Sequence, residues 1–166
     1  MASKRNITLT LVLITFMAII ALFPASEALA GKAAVSAPAE AKCPVCGMFV
    51  AKYPDWASSL TFRDASIVYF DGPKDMFTFC LNVKKYSPAK RQTDIAAVAV
   101  KDYYSLKVID GRTAFFVSGS NIYGPMGKEI VPFARETDAR EFLKDHNGKK
   151  ILRFGEVTPA VLKSLE

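Results

Sequence analysis

Histidine and tryptophan each occur once in this chain of 166 residues, and cysteine three times. The lone histidine, His146, has no serine or cysteine nucleophile motif around it, so nothing points to nucleophilic catalysis. The carboxylates fall mainly on helix faces and in turns, and no catalytic constellation emerges; an enzyme is not expected. An odd number of cysteines excludes a complete disulfide framework within one chain. The residue after the second cysteine is Gly47, not histidine, which excludes a c-type haem attachment site. Nucleic-acid motifs are also lacking. The basic residues are scattered apart from Lys84-Lys85 and Lys90-Arg91, which read as solvated surface.

Long apolar runs are absent except at the N-terminus. Lys4 and Arg5 precede an apolar stretch from Ile7 to Phe23. Pro24 breaks it, and Ala28-Leu29-Ala30 before Gly31 has the small-x-small spacing of a cleavage site. Residues 1–30 therefore read as a secretory signal peptide. The alternative is an uncleaved anchor, for which 17 apolar residues are near the lower limit. No cysteine lies near the cleavage site, so no lipoprotein anchor is expected. Removing Lys4, Arg5 and Glu27 leaves a net charge of +5, against +6 for the whole chain. A modest positive charge suits a membrane surface or an acidic partner. The expected location is the periplasm.

Residues 31–42 are rich in Ala, Ser and Pro and read as a flexible leader. The body, 43–166, has a mixed pattern. Strands are expected at 57–63 and 66–70, followed by a turn at Asp71-Gly72-Pro73. Residues 74–83 carry Met76, Phe77, Phe79, Cys80 and Val83 on one helical face. Residues 84–92 read as a polar linker. Strands follow at 94–100 and 105–110, and Asp110-Gly111 predicts a hairpin into 112–119. A loop over 120–128 leads to a strand at 129–134. A helix capped by Thr137 buries Ala139, Phe142, Leu143 and His146 and stops at Asn147-Gly148. Residues 149–157 read as a strand, and Thr158-Pro159 opens a short terminal helix. The fold class is α+β, with two small similar halves, about 43–92 and 93–166, each a few antiparallel strands and one helix. The segments "CGMFVAKYP" and "PMGKEIVPF" are a faint match between them.

The chemistry concentrates in "AKCPVCGM", residues 41–48. Cys43 and Cys46 place two thiols on one tight turn, and Gly47 lets the chain fold back. A small-loop disulfide, a redox pair, half of a zinc site and a copper site all begin this way. A redox pair sits at the start of a helix after a strand, whereas this pair follows the leader and precedes "GMFV". A zinc site needs four ligands, and Cys43, Cys46, Cys80 and His146 are the only cysteines and histidine in the chain. Cys80, on an apolar helix face, and His146, at a helix end, also have ordinary structural explanations. Cu(I) takes thiolate and thioether sulfur. Met48 offers a thioether beside the thiols, and Met126 offers another in the Gly-Pro-Met-Gly segment.

"CPVCGMFV", Trp56, "FDGPKDMFTF" and above all "YGPMGKEIVPFARETDAREFLKDHNGKKILRFGEV" (123–157) make the chain similar to the NosL family, the accessory proteins of nitrous oxide reductase. The resemblance covers nearly all of the body. It implies two small α+β halves and a periplasmic copper chaperone that binds Cu(I). The implied recipient is a periplasmic copper enzyme, nitrous oxide reductase. The implied ligands are Cys43, Met48 and Met126. Two departures stand out. The chain lacks the lipobox of many members, and Cys46 stands where many of them have aspartate, which offers a second thiolate. The alternative to a copper carrier is a structural or sensory zinc module built on Cys43, Cys46, Cys80 and His146.

Overall fold

A computed structural model describes residues 35–166; the signal-peptide segment and the first leader residues lie outside the described residues. Among the described residues no helix is long and apolar enough to cross a membrane. The elements in chain order are β1 (Ser58–Phe62), β2 (Ile67–Phe70), α1 (Pro73–Leu81), α2 (Val83–Tyr86), β3 (Ile95–Lys101), β4 (Val108–Asp110), β5 (Phe115–Gly124), β6 (Gly127–Phe133), α3 (Glu136–Asp145), β7 (Lys150–Leu152) and α4 (Pro159–Lys163). They form an α+β fold with two antiparallel sheets, ordered β2-β1-β3-β4 and β6-β5-β7.

The sheets share a core. Leu60 and Phe62 of β1 and Val98 and Val100 of β3 pack with Met76, Phe77 and Phe79 of α1, and the same cluster takes in Phe116 of β5 and Ile130 of β6. The next residues along those strands, Val117 and Val131, point the other way and pack with Phe133, Ala139 and Phe142. The second sheet is thus buried on one face by α1 and on the other by α3. That explains why "AFFV" and "EIVPF" read as continuous apolar runs without alternation.

Several expectations are corrected. Parts of the leader dock on the body: Val35 is buried in the main core, and Lys42 forms an isolated antiparallel bridge with Phe49, while Ser36 and residues 38–40 between them are exposed. The polar stretch after residue 83 is not all linker, since Val83–Tyr86 makes one more helical turn. Asp110-Gly111 is no hairpin turn; β4 pairs with β3, while β5 belongs to the other sheet. The Asp110 carboxylate accepts the N–H of Arg112 at 2.9 Å, so it makes a local side-chain turn. Gly111 is needed for close approach, because a Cβ there would lie 2.6 Å from Cγ1 of Val98. The first sheet therefore draws β3 and β4 from beyond residue 92, and the chain changes sheets between Asp110 and Phe115.

Residues 120–128 are also not a loop. β5 continues to Gly124, and Pro125-Met126 alone form the turn into β6, with Tyr123 paired to Lys128 and Gly124 to Gly127. Ser, Asn, Gly and Pro serve here as bulge and turn residues: Gly119 has φ +78° and Gly127 φ +87°. The faint repeat is not matched in structure, because "CGMFVAKYP" is a turn followed by a 3-10 turn at Val50–Lys52 and "PMGKEIVPF" is a strand with its turn. α3 starts after Arg135, which makes no side-chain cap, so Thr137 lies inside the helix. Only Lys150–Leu152 of 149–157 is strand. Asn147 (φ +52°) ends α3 as expected, and Thr158 caps α4 by accepting the N–H of Val161 at 3.4 Å.

Candidate metal centre

The Cys43–Met48 segment is a chain reversal. The Gly47 N–H donates to the Cys43 carbonyl at 2.8 Å, and the Cys43 N–H to the Met48 carbonyl at 2.9 Å. Gly47 closes it with φ +80°; a Cβ would meet nothing within 4 Å, so backbone conformation alone requires glycine there. The peptide N–H groups of Cys46 and Val45 face the Cys43 sulfur, and that of Met48 faces the Cys46 sulfur. Both thiols are free. Cys43 is 1 % exposed, and Cys46 is half-buried.

Two carboxylates complete the pocket. Asp71 follows the last residue of β2, and Asp75 lies in the first turn of α1. The Cys43 thiol donates to Asp75 Oδ2 and the Cys46 thiol to Asp71 Oδ1, each at 3.3 Å. One ligand atom from each of Cys43, Cys46, Asp71 and Asp75 lies within 4.8 Å of the others. Asp71 is 1 % exposed, yet its Oδ2 has no hydrogen-bond partner. Burying a carboxylate oxygen without a partner is costly. An oxygen held in that state beside two thiols fits a cation-binding role.

The electrostatics agree. Burial pushes the Cys43 thiol up, outweighing the N–H groups that favour its thiolate, and pushes Cys46 up to about 11. Burial also raises Asp75, against the thiol hydrogen bonds that would lower it. Burial thus keeps both thiols protonated and disfavours charge on Asp75. A soft cation would displace the thiol protons and offset the charge of the resulting thiolates.

Sequence reasoning found the thiols and missed both carboxylates. In the sequence Asp71 reads as a turn residue, and Asp75 sits beside the apolar residues of the helix. The available signal was their spacing of four, with Gly72-Pro73 between them to start the helix. Met48 lies on the Cys43–Cys46 reversal and is half-buried. Met126 is at the tip of the β5–β6 hairpin, 44 % exposed, and its carbonyl accepts the Lys74 ammonium at 2.6 Å. The alternative ligand set does not assemble. Cys80 is buried in the core, where desolvation raises its thiol to about 12. His146 caps the C-terminus of α3, its ring 4.4 Å from that of Phe142. Neither belongs to the cluster of Cys43 and Cys46.

The NosL family model matches residues 34–162. The chain belongs to the NosL family. It is 28 % identical over 130 residues to the copper-binding lipoprotein NosL of Stutzerimonas stutzeri. That match covers 74 % of this chain and 64 % of the relative, so the chain spans somewhat less than two thirds of that protein. Among solved structures it resembles the crystal structure of the copper chaperone NosL from Shewanella denitrificans, with a TM-score of 0.64 and 28 % identity. The match covers 76 % of this chain and 95 % of that one.

Next to the pocket of this NosL-family chain lies a further acid that sequence reasoning missed. Glu129, on β6, is fully buried, and its Oε1 accepts the N–H of Lys74 at 2.6 Å and of Ile130 at 2.9 Å. Burial raises its carboxyl from 4.5 to about 8, with the two N–H groups and the Lys74 ammonium opposing and Asp75 reinforcing. Between those values the folded state holds a proton that the unfolded chain has released, so stability falls as pH rises from 4.5 to 8. Glu129→Gln cannot ionise. Its thermal midpoint is expected to match the parent near pH 4.5 and to exceed it increasingly towards pH 8, as read by calorimetry on both proteins.

Proposed function

We propose that this protein is an exported copper carrier, not an enzyme. Its cargo, Cu(I), is taken by the Cys43 and Cys46 thiolates, with Met48 and Met126 as thioether donors, and passed to a periplasmic copper enzyme. The family favours nitrous oxide reductase as that recipient. The observation that carries the reading is the convergence of two free thiols with Asp71 and Asp75, one carboxylate oxygen left unpartnered. Soft sulfur suits Cu(I). The half-buried Cys46 and the exposed Met126 leave a side from which a recipient's ligands can attack, so the ion leaves by exchange. The relatives named for copper binding and copper chaperoning support the same cargo.

The test is a titration of reduced protein. About one equivalent of Cu(I) is expected to bind with thiolate-to-copper absorption and to resist a moderate chelator. Transfer is then followed by loading apo nitrous oxide reductase and watching its copper absorption appear. Failure to retain Cu(I) would overturn the carrier reading.

The carboxylates favour a second reading, a zinc module on a ligand set different from the one expected. Two thiolates and two carboxylates can hold Zn(II) tetrahedrally. Asp75→Asn separates the two. If copper is held by sulfur, the substitution is an outer-shell change that weakens Cu(I) by about tenfold, whereas Co(II) and Zn(II) lose a direct ligand and weaken by about a hundredfold or more. Preferential retention of Zn(II) over Cu(I) by the parent, with a tetrahedral cobalt spectrum, would favour the zinc module.

A further inference from the structure

All four donors of the pocket come from the Cys43–Cys46 turn and the segment that joins β2 to the first turn of α1. Met126 comes from a hairpin in the other sheet, and Lys74 links the tip of that hairpin to the start of α1. Its peptide N–H donates to Glu129 Oε1 at 2.6 Å, and its ammonium donates to the Met126 carbonyl at 2.6 Å. The next residue, Asp75, accepts the Cys43 thiol at 3.3 Å.

Helix capping alone does not account for Glu129. The N–H of Lys74 is one of the orphan donors at a helix start, and a Ser, Thr or Asp at the N-cap satisfies such a donor locally. Here the N-cap is Gly72, which has no side chain, and the acceptor comes from 55 residues away. The two glycines that flank Glu129 belong to the segments it joins. A Cβ on Gly72, between Asp71 and α1, would lie 2.3 Å from Oε2, and one on Gly124, just before the hairpin turn, 3.0 Å from Cγ. Burying a carboxyl is costly unless it is well bonded. A remote acid in a slot between two glycines locks the two segments together, which a local cap cannot do.

We infer that Glu129 and Lys74 are positioning residues that hold the Met126 hairpin against the start of α1, so that the Met126 thioether serves the ion bound at Cys43 and Cys46. This rests on the reading of Met126 as a ligand. Met126 is suited to the role, because its exposed side chain at the hairpin tip contributes nothing to either core cluster. Lys74 fixes the Met126 main chain and leaves the sulfur free.

The test is Cu(I) affinity of the reduced full chain, by chelator competition, with Glu129→Ala and Glu129→Gln each made in the parent and in Met126→Leu. Met126→Leu alone is expected to weaken binding about tenfold. Glu129→Ala is expected to weaken the parent by about tenfold and to add nothing in the Met126→Leu background. Glu129→Gln keeps an acceptor for both N–H groups and is expected to retain parental affinity. If Met126→Leu weakens binding but Glu129→Ala has no effect, or has the same effect in both backgrounds, the positioning role is overturned. If Met126→Leu binds like the parent, Met126 is not a ligand, and that part of the proposed function fails instead. Should Glu129→Ala not fold, Lys74→Leu removes the surface contact to the Met126 carbonyl. It is then expected to weaken Cu(I) binding only where Met126 is present, and an equal loss in both backgrounds would overturn the inference.

Discussion

Serine at both 43 and 46 is expected to abolish Cu(I) retention against a moderate chelator. Outer-shell changes at metal sites commonly cost ten- to a hundredfold in affinity, and loss of both thiolates removes the strongest donors outright, so the expected fall exceeds a hundredfold. A hydroxyl remains protonated at neutral pH and is a poor ligand for a soft ion. The fold is expected to persist, because serine is close in shape and the reversal is held by backbone bonds from Gly47 and Cys43. The single variants should differ. Cys43→Ser is expected to have the larger effect, since its sulfur lies at the buried end of the pocket. Chelator competition with circular dichroism checks both points. Parental Cu(I) affinity in the double variant would place the copper site elsewhere.

The largest loss of stability is expected from Phe77→Ala. Phe77 leaves α1 and packs edge-on against Phe116 of β5, ring centroids 5.0 Å apart, and tilted against Phe154 at 5.1 Å. It thus ties the helix bearing Asp75 to the second sheet. Truncating a buried phenylalanine costs about 3–5 kcal/mol, and a domain of this size is stable by only about 5–15 kcal/mol. Thermal unfolding is expected to move down by about 10–20 °C. Phe77→Leu, which keeps most of the apolar volume, should lose clearly less. A shift of under 3 °C in Phe77→Ala would mean that the two sheets are not held together through this ring. In a variant that still folds, Cu(I) affinity should fall as well, because α1 is the platform for Asp75 and Lys74.

The features legible in the sequence are those decided by neighbours along the chain. The Cys-Pro-Val-Cys-Gly-Met reversal depends on a glycine with positive φ one residue past the second thiol. The stop at Asn147-Gly148 and the Thr158-Pro159 start depend on caps within a few residues. Apolar spacing placed most of the strands and both main helices, and the quoted motifs led to the family. Even the wrong assignments were local: Asp110-Gly111 has the composition of a hairpin turn, and "SNIYGPMGK" that of a loop. Their actual roles, a close approach to Val98 and a bulged strand with a two-residue turn, depend on partners from other segments. The same holds for the pocket. Asp71 and Asp75 become candidate ligands because the start of α1 lies against the Cys43–Cys46 turn, which brings acid and thiol together across 25 and 32 residues. Cys80 and His146, the other natural metal-binding types, are taken up by packing against Phe-rich cores. Glu129 looks like one more surface acid beside Lys128 until burial in the second sheet turns it into a remote cap for α1. By itself, then, the sequence determined the thiol turn, the helix and strand types and the family. Only the tertiary structure decided which hard donors face those thiols, because burial and long-range proximity have no signature in local order.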